Sequence, residues 1–383
     1  MIIALSFIGY VLLGLPDGIL GVAWPSISSH HGVPIESLGL IFAAMTASGI
    51  IASFTSSFVQ SRLGPGTLVT ISCTALCLSS LGFAFSPNLW LVLVAAALTG
   101  LGGAGVDVGL NTVAATRLNM RVINWMHACY GIGASLGPAM MTVVLLAGWL
   151  WQSAYMLVAL GFVSLIVALV LTRDRWNFDS PIDGAVEAAP KVSPLRTLRL
   201  PRMWLCIGMF AVSTGMELTA GQWTFTVLTE DRGMATGLAG SAVTLFYAGL
   251  TAGRIGIGVL GSRLRVESLL RGCVLAAIAG ALLFLIESNP VISVLGLALT
   301  GLAFGPVFPS MISATVSRVG EAHAGNAVSL QITAAAIGIA AFPGMGGLLA
   351  RVAGLHMIGI LLVAGSVALL ALHVVLMRTK FRQ

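Results

Sequence analysis

Twelve times along this 383-residue chain, a stretch of about 20 residues passes with almost no charged side chain. A helix rises about 1.5 Å per residue, so a run of that length matches the roughly 30 Å hydrocarbon layer of a bilayer. The runs fall at 2–24, 38–60, 67–86, 89–116, 124–148, 152–172, 203–229, 238–261, 268–287, 290–317, 325–350 and 355–377. Composition agrees: 57% of residues are apolar and only 8% are Asp, Glu, Lys or Arg, against about 25% charged residues in a soluble domain. Too few polar side chains remain to cover a surface facing water. The 46 glycines suit helices in lipid, where small residues let backbones approach. The expected fold class is therefore all-α and integral to the membrane, with twelve transmembrane helices. A disordered chain, a collagen and a secreted disulfide scaffold are excluded on the same grounds. Cys73, Cys77, Cys129, Cys206 and Cys273 all lie in apolar runs without zinc-ligand or redox spacing and read as small buried hydrophobes.

An even number of spans puts both termini on one side. Sixteen basic residues sit at the termini and in the loops of that side: Arg62, Arg117, Arg121, Arg173, Arg175, Lys191, Arg196, Arg199, Arg202, Arg263, Arg265, Arg271, Arg318, Arg378, Lys380 and Arg382. Only Arg232 and Arg351 fall on the other side, and Arg254 lies inside span 8. The positive-inside rule then places both termini in the cytoplasm, and the expected location is a cell membrane, the inner membrane of a bacterium. The net charge of +6 is explained by topology, so no nucleic-acid partner is expected. The first apolar run lacks a basic n-region and a small-residue cleavage site, so it reads as a retained helix rather than a signal peptide. Residues 173–202, with three Asp and four Pro, are too polar to cross. They read as a cytoplasmic linker between a first six-helix bundle, 1–172, and a second, 203–383.

The halves repeat. Ala97-Leu98-Thr99-Gly100-Leu101 recurs as Ala298-Leu299-Thr300-Gly301-Leu302, an offset of 201, and the same offset pairs Arg117 with Arg318 and Ser61-Arg62-Leu63 with Ser262-Arg263-Leu264. Gly133 and Pro138 match Gly338 and Pro343 at 205. Parallel six-helix repeats joined by a cytoplasmic linker imply a transporter whose site lies near the bilayer midplane between the halves.

Charges inside the spans narrow the site. An ionised side chain at the bilayer centre costs at least ~2.5–3.5 kcal/mol, so each should face a cavity or a partner. Asp17 sits in Gly14-Leu15-Pro16-Asp17-Gly18, where proline and glycines are expected to loosen the helix. It is a candidate for the proton and for a substrate hydroxyl. Asp107 and Asn111 in the glycine-rich stretch 102–111 are four residues apart and so share a helix face. Taking up a proton relieves a carboxylate of its cost in lipid, which makes Asp107 a candidate proton carrier and Asn111 a substrate-side amide. Glu217 stands one position from the repeat equivalent of Asp17, with Gln222 and Trp223 following. Such a set suits sugar-like ligands, which show both hydroxyls and apolar faces. His127 is a candidate proton relay, and Tyr130 and Gln331 are further candidates to line the cavity. Arg254, Arg62 and its repeat partner Arg263 are the candidate gating residues.

With these stretches in hand, the chain resembles the major facilitator superfamily over its full length, and within it the fucose–galactose–glucose:proton symporters and their fucose-permease-like relatives. Pro16-Asp17-Gly18 is similar to their acid-bearing first helix and Gly105–Asn111 to the acid-bearing fourth. Asn124, His127, Tyr130-Gly131, Gly133 and Gly137-Pro138 resemble the fifth-helix pattern, and Gly305-Pro306-Val307-Phe308-Pro309 the tenth. The resemblance implies that Asp17 and Asp107 couple substrate to proton. Two positions depart from it. Gln60-Ser61-Arg62-Leu63-Gly64 lacks the Asp of the usual loop motif after span 2, and Asp107 stands where the sugar symporters carry Glu.

The expectation is an alternating-access secondary transporter, monomeric and without cofactor or metal, whose partners are protons, the lipid bilayer and a small sugar-like substrate taken up with the proton. The rival is a proton-coupled exporter of drugs or amphipathic metabolites, to which the 15 methionines would lend adaptable walls. A membrane enzyme is not expected, because neither an HExxH-type metal site nor a Ser/His/Asp set is present in the sequence. A channel is disfavoured by a repeat that suits two rocking halves.

Overall fold

The computed structural model describes residues 1–117, 120–176, 192–260 and 265–379. They are almost entirely helical. The long helices are α1 (Ile2–His31), α2 (Leu38–Leu63), α3 (Pro65–Phe85), α4 (Leu89–Arg117), α5 (Met120–Leu146), α6 (Gln152–Leu171), α7 (Pro201–Thr226), α8 (Thr236–Leu260), α9 (Val266–Phe284), α10 (Pro290–Phe304, resuming at Val307–Ser313), α11 (Glu321–Ala353) and α12 (Met357–Arg378). Among the described residues these twelve are long and apolar enough to cross a membrane. Half of the linker expected at 173–202, residues 177–191, lies outside the described residues, as does Arg263.

Helix ends differ from the apolar runs for local reasons. The first run ends near residue 24, but α1 continues to His31 and stops at Gly32, which adopts the left-handed conformation with φ 62°. That backbone is open to glycine at little cost and closes the helix. Pro16 was expected to loosen α1; instead it is carried inside a continuous helix, as is Pro25. Packing of α1 against α5 holds the turn that has lost its amide donor. Gly305-Pro306 does interrupt α10, as a missing N–H and a fixed φ dictate. A five-residue π-helical turn, Val227–Asp231, extends α7.

The chain divides into two compact units: Met1–Ser180 with Gly233–Thr244, and Pro181–Arg232 with Leu245–Gln383. In the first, α1 packs along α5, α4 against α2 and α3, and α6 against α3. In the second, α11 and α12 pack on α7, and α9 lies between α10 and α12. The sequence repeat reappears as matching backbone contacts. A Cβ on Gly133 would collide with the Val11 carbonyl of α1, and one on Gly338 with the Ala211 carbonyl of α7. Likewise Gly100 abuts the Met45 carbonyl and Gly301 the Phe246 carbonyl. Each pair puts main chain on main chain, the close approach that small residues allow in lipid.

These seams are sensitive to a single methyl. Gly133→Ala should lower stability by about 1–3 kcal/mol, the usual cost of overpacking, because a carbonyl cannot rotate away as a side chain can. Thermal unfolding in detergent, followed by loss of the monodisperse elution peak, measures it. An unchanged midpoint would show that α1 and α5 separate freely.

At the far end of α7, Arg232 donates through Nη1 to the Phe284 carbonyl (2.8 Å) and Ser293 Oγ (2.9 Å). Its guanidinium carbon lies 4.6 Å from the Phe284 ring centroid. Burial lowers the Arg232 pKa from the ordinary guanidinium value, opposed by the carboxylates of Glu287 and Asp231. One of the two basic residues on the sparsely charged side is thus a tie between α7, α9 and α10.

Candidate functional site

In the first unit, α1, α4 and α5 bring five of the candidate residues together. Gly14 of α1 sits so close to the Tyr130 carbonyl that a Cβ would clash. The same approach lets the Tyr130 hydroxyl donate to Asp17 Oδ2. On α4, Gly105 and Gly109 seat the helix against Ser72 and Val69 of α3. Residues advance about 100° each, so Asp107, two positions from either glycine, projects to the opposite side, where α1 stands. There Tyr10 donates its hydroxyl to Asp107 Oδ1 at 3.0 Å. Asn111 Nδ2 donates to the same oxygen at 3.0 Å, the contact that four-residue spacing allows. The Tyr10 ring meets His127 of α5 edge-on, with centroids 5.2 Å apart and planes at 71°. His127 itself is exposed.

The second unit treats its acid differently. Glu217 of α7 accepts from Arg254 Nη2 of α8 at 2.9 Å, with side-chain exposures of 21% and 34%. Glu217 was expected to mirror Asp17 and Arg254 to gate; the structure pairs them with each other. Gln222 Nε2 donates to the Tyr247 hydroxyl at 3.2 Å, and Trp223 Nε1 to the Pro343 carbonyl at 3.0 Å. Both side chains are fully buried, so the amide and the indole sit within the packing of the unit. Gln331 is also fully buried and accepts from Thr315 Oγ1 at 2.9 Å. Arg62 lies exposed at the end of α2, its guanidinium 4.3 Å over the Phe58 ring.

Two groups were missed by sequence reasoning. Tyr10 sits in an apolar run with no polar neighbour to mark it, although it is seven residues, two helical turns, from Asp17. The second is Arg318, counted above as a basic loop residue and as the repeat partner of Arg117. It is 4% exposed and forks onto Glu267 of α9, Nε to Oε1 at 3.1 Å and Nη2 to Oε2 at 2.9 Å. His373 of α12, fully buried, stands 3.7 Å from Glu267 Oε2. The glutamate and arginine are 51 residues apart, beyond any local pattern.

The two kinds of acid differ in chemistry. Glu217 and Glu267 each face a guanidinium, which holds the charge in place. Among the described residues, Asp107 is held only by neutral donors, a phenol and an amide. Neutral donors can stay bonded whether the carboxyl carries a proton or not. No three His, Cys, Asp or Glu side chains among the described residues are grouped to hold a metal ion.

Twelve apolar helices with ionisable groups bonded inside them define a multi-pass membrane protein organised around polar positions within its spans. The model of the Major Facilitator Superfamily matches residues 6–343 and 205–382. This chain belongs to that superfamily, a family of membrane transporters rather than enzymes. An uncharacterised MFS-type transporter of Yersinia pestis, YPO1221, is 24% identical over 360 residues, which cover 91% of this chain and 88% of that protein. The MFS-type transporter YqjV of Bacillus subtilis is 27% identical over 118 residues, and the match spans only 30% of this chain and 29% of that protein. Among solved structures, a point mutant of the nucleoside transporter NupG superposes with a TM-score of 0.80 at 13% identity, covering 99% of this chain and all of that one. FucP in the outward conformation gives 0.61 at 16% identity, covering 98% and 99%. These likenesses establish the fold.

Proposed function

We propose that this protein is a proton-coupled importer of a small polyhydroxylated solute, a sugar or a molecule carrying one, of the fucose-permease-like kind that its first, fourth, fifth and tenth helices resemble. The observation that carries the reading is the pair of neutral donors on Asp107. A carboxylate inside a span needs a cation or a proton to offset its cost, and Glu217 has its cation in Arg254. Asp107 has Tyr10 and Asn111, so the proton is left to neutralise it. Asp17, bonded to Tyr130 on the adjoining helix pair, is the acid offered to substrate hydroxyls, with His127 as a relay at the exposed edge. The fold likeness to a nucleoside transporter supports a solute that carries a sugar. Import with a proton in alternating access, from a cell membrane with both termini cytoplasmic, completes the proposal.

The test is proton movement in proteoliposomes holding a trapped pH dye, with monosaccharides and nucleosides added singly outside. Acidification of the lumen on adding one of them is the expected result. Alkalinisation would mean antiport. Silence with every hydroxylated solute, followed by a response to amphipathic cations, would replace import with export.

A further inference from the structure

Asp107 receives two hydrogen bonds, and both end on one oxygen. Tyr10 reaches Oδ1 from α1 and Asn111 reaches it from one turn along α4, each at 3.0 Å. That leaves Oδ2, among the described residues, as the oxygen to take the proton. Asn111 belongs to the helix that bears the acid and moves with it. Tyr10 does not. It is 1% exposed, fixed by its surroundings on α1, with its ring edge against His127 of α5. The side of α4 away from it is seated on Ser72 and Val69 of α3.

A hydrogen bond to a charged acceptor is about twice as strong as one to a neutral acceptor. When Oδ2 gains a proton, Oδ1 becomes a carbonyl oxygen and the Tyr10 bond slackens; when the proton leaves, it tightens. The change is felt on α1, where Asp17 lies two turns, about 10 Å, further along. There Tyr130 ties Asp17 to the same α5 that carries His127. Resting on the reading of Asp107 as the proton carrier, we propose that Tyr10 is its positioning residue: the hydroxyl fixes Oδ1, presents Oδ2 to the proton, and transmits the protonation state of α4 to the α1–α5 pair that holds Asp17. No bond other than O–H is made or broken, and the proton resides on Asp107.

Tyr10→Phe keeps the ring and removes only the donor, so the packing on His127 is retained. Two measurements test it on the full-length protein in liposomes. In infrared difference spectra recorded between acid and alkaline pH, the carbonyl band of protonated Asp107 is the one missing from Asp107→Asn. In Tyr10→Phe that band should move to higher frequency, because its oxygen has lost a donor. Protons moved per solute should also fall by at least half, while solute counterflow without a proton gradient stays within about twofold of wild type. An unshifted band overturns the proposal and leaves the proton reading intact. A shifted band with unchanged proton-to-solute ratio overturns the transmitting role. If Asp107→Asn removes no carboxyl band at all, the reading of Asp107 as proton carrier fails, and this proposal with it.

Discussion

Asp107→Asn is expected to abolish uphill accumulation while leaving exchange. Asparagine is nearly isosteric with the acid, and its Oδ1 accepts from Tyr10 and Asn111 as the carboxylate does, so the helix packing around it is retained. What it cannot do is change its charge. A proton entering at a membrane potential of 100 mV supplies about 2.3 kcal/mol, and about 1.4 kcal/mol is tenfold in concentration, so one coupled proton supports roughly fifty-fold accumulation. The variant should equilibrate the solute at a ratio near one, yet swap labelled for unlabelled solute across the bilayer. Radiolabelled uptake under an imposed potential, beside counterflow in its absence, separates the two. Persisting accumulation would remove Asp107 from the coupling step and move attention to Asp17, whose partner Tyr130 is likewise a phenol.

Arg318→Met should be the most destabilising of the charge substitutions. It strands Glu267 beside His373 without the guanidinium that was bonded to both its oxygens. Breaking one side of a buried pair costs about 3–5 kcal/mol, and with Glu267 30% exposed the lower end, about 3 kcal/mol, applies. The matched variant Glu267→Gln with Arg318→Met removes both charges and should recover most of that loss, because the desolvation of the pair disappears with it. Thermal midpoints of the two proteins in one detergent decide the matter. Equal loss in both would mean that the site depends on the shape of arginine rather than on its charge. Glu217→Gln offers the contrast, since Arg254 is a third exposed where Arg318 is 4% exposed, so less burial opposes the guanidinium left behind.

The spans were legible because apolarity sustained over about 20 residues has one physical reading. Their ends were less so: α1 carries its helix past residue 24 through serines and histidines to Gly32, and only the left-handed glycine marks the stop. Pro16 misled, since a proline looks like a break until a neighbouring helix is known to brace it. The repeat was legible in detail, down to Gly133 with Gly338 and Gly100 with Gly301, because glycine is the one residue a carbonyl contact tolerates. Within the candidate site, Asp107 and Asn111 could be joined by spacing alone. Tyr10 could not, being one more large side chain in an apolar run. Nor could the division between acids that face cations and acids that face phenols, which depends on partners tens of residues away. Gln222, Trp223 and Gln331 read as ligand-facing chemistry, yet all three are fully buried and bond to Tyr247, Pro343 and Thr315 inside the second unit.

The glycine contacts bear on how such a protein can change over time. Where α1 meets α5, and α7 meets α11, peptide backbone rests on peptide backbone, and no side-chain volume is available to be adjusted. A lineage that drifts toward a different solute cannot rewrite these surfaces in small steps, because the first step already collides. Novelty is confined to the remaining faces of the same helices, so Gly133 and Gly338 would stay fixed while side chains elsewhere on α5 and α11 are exchanged.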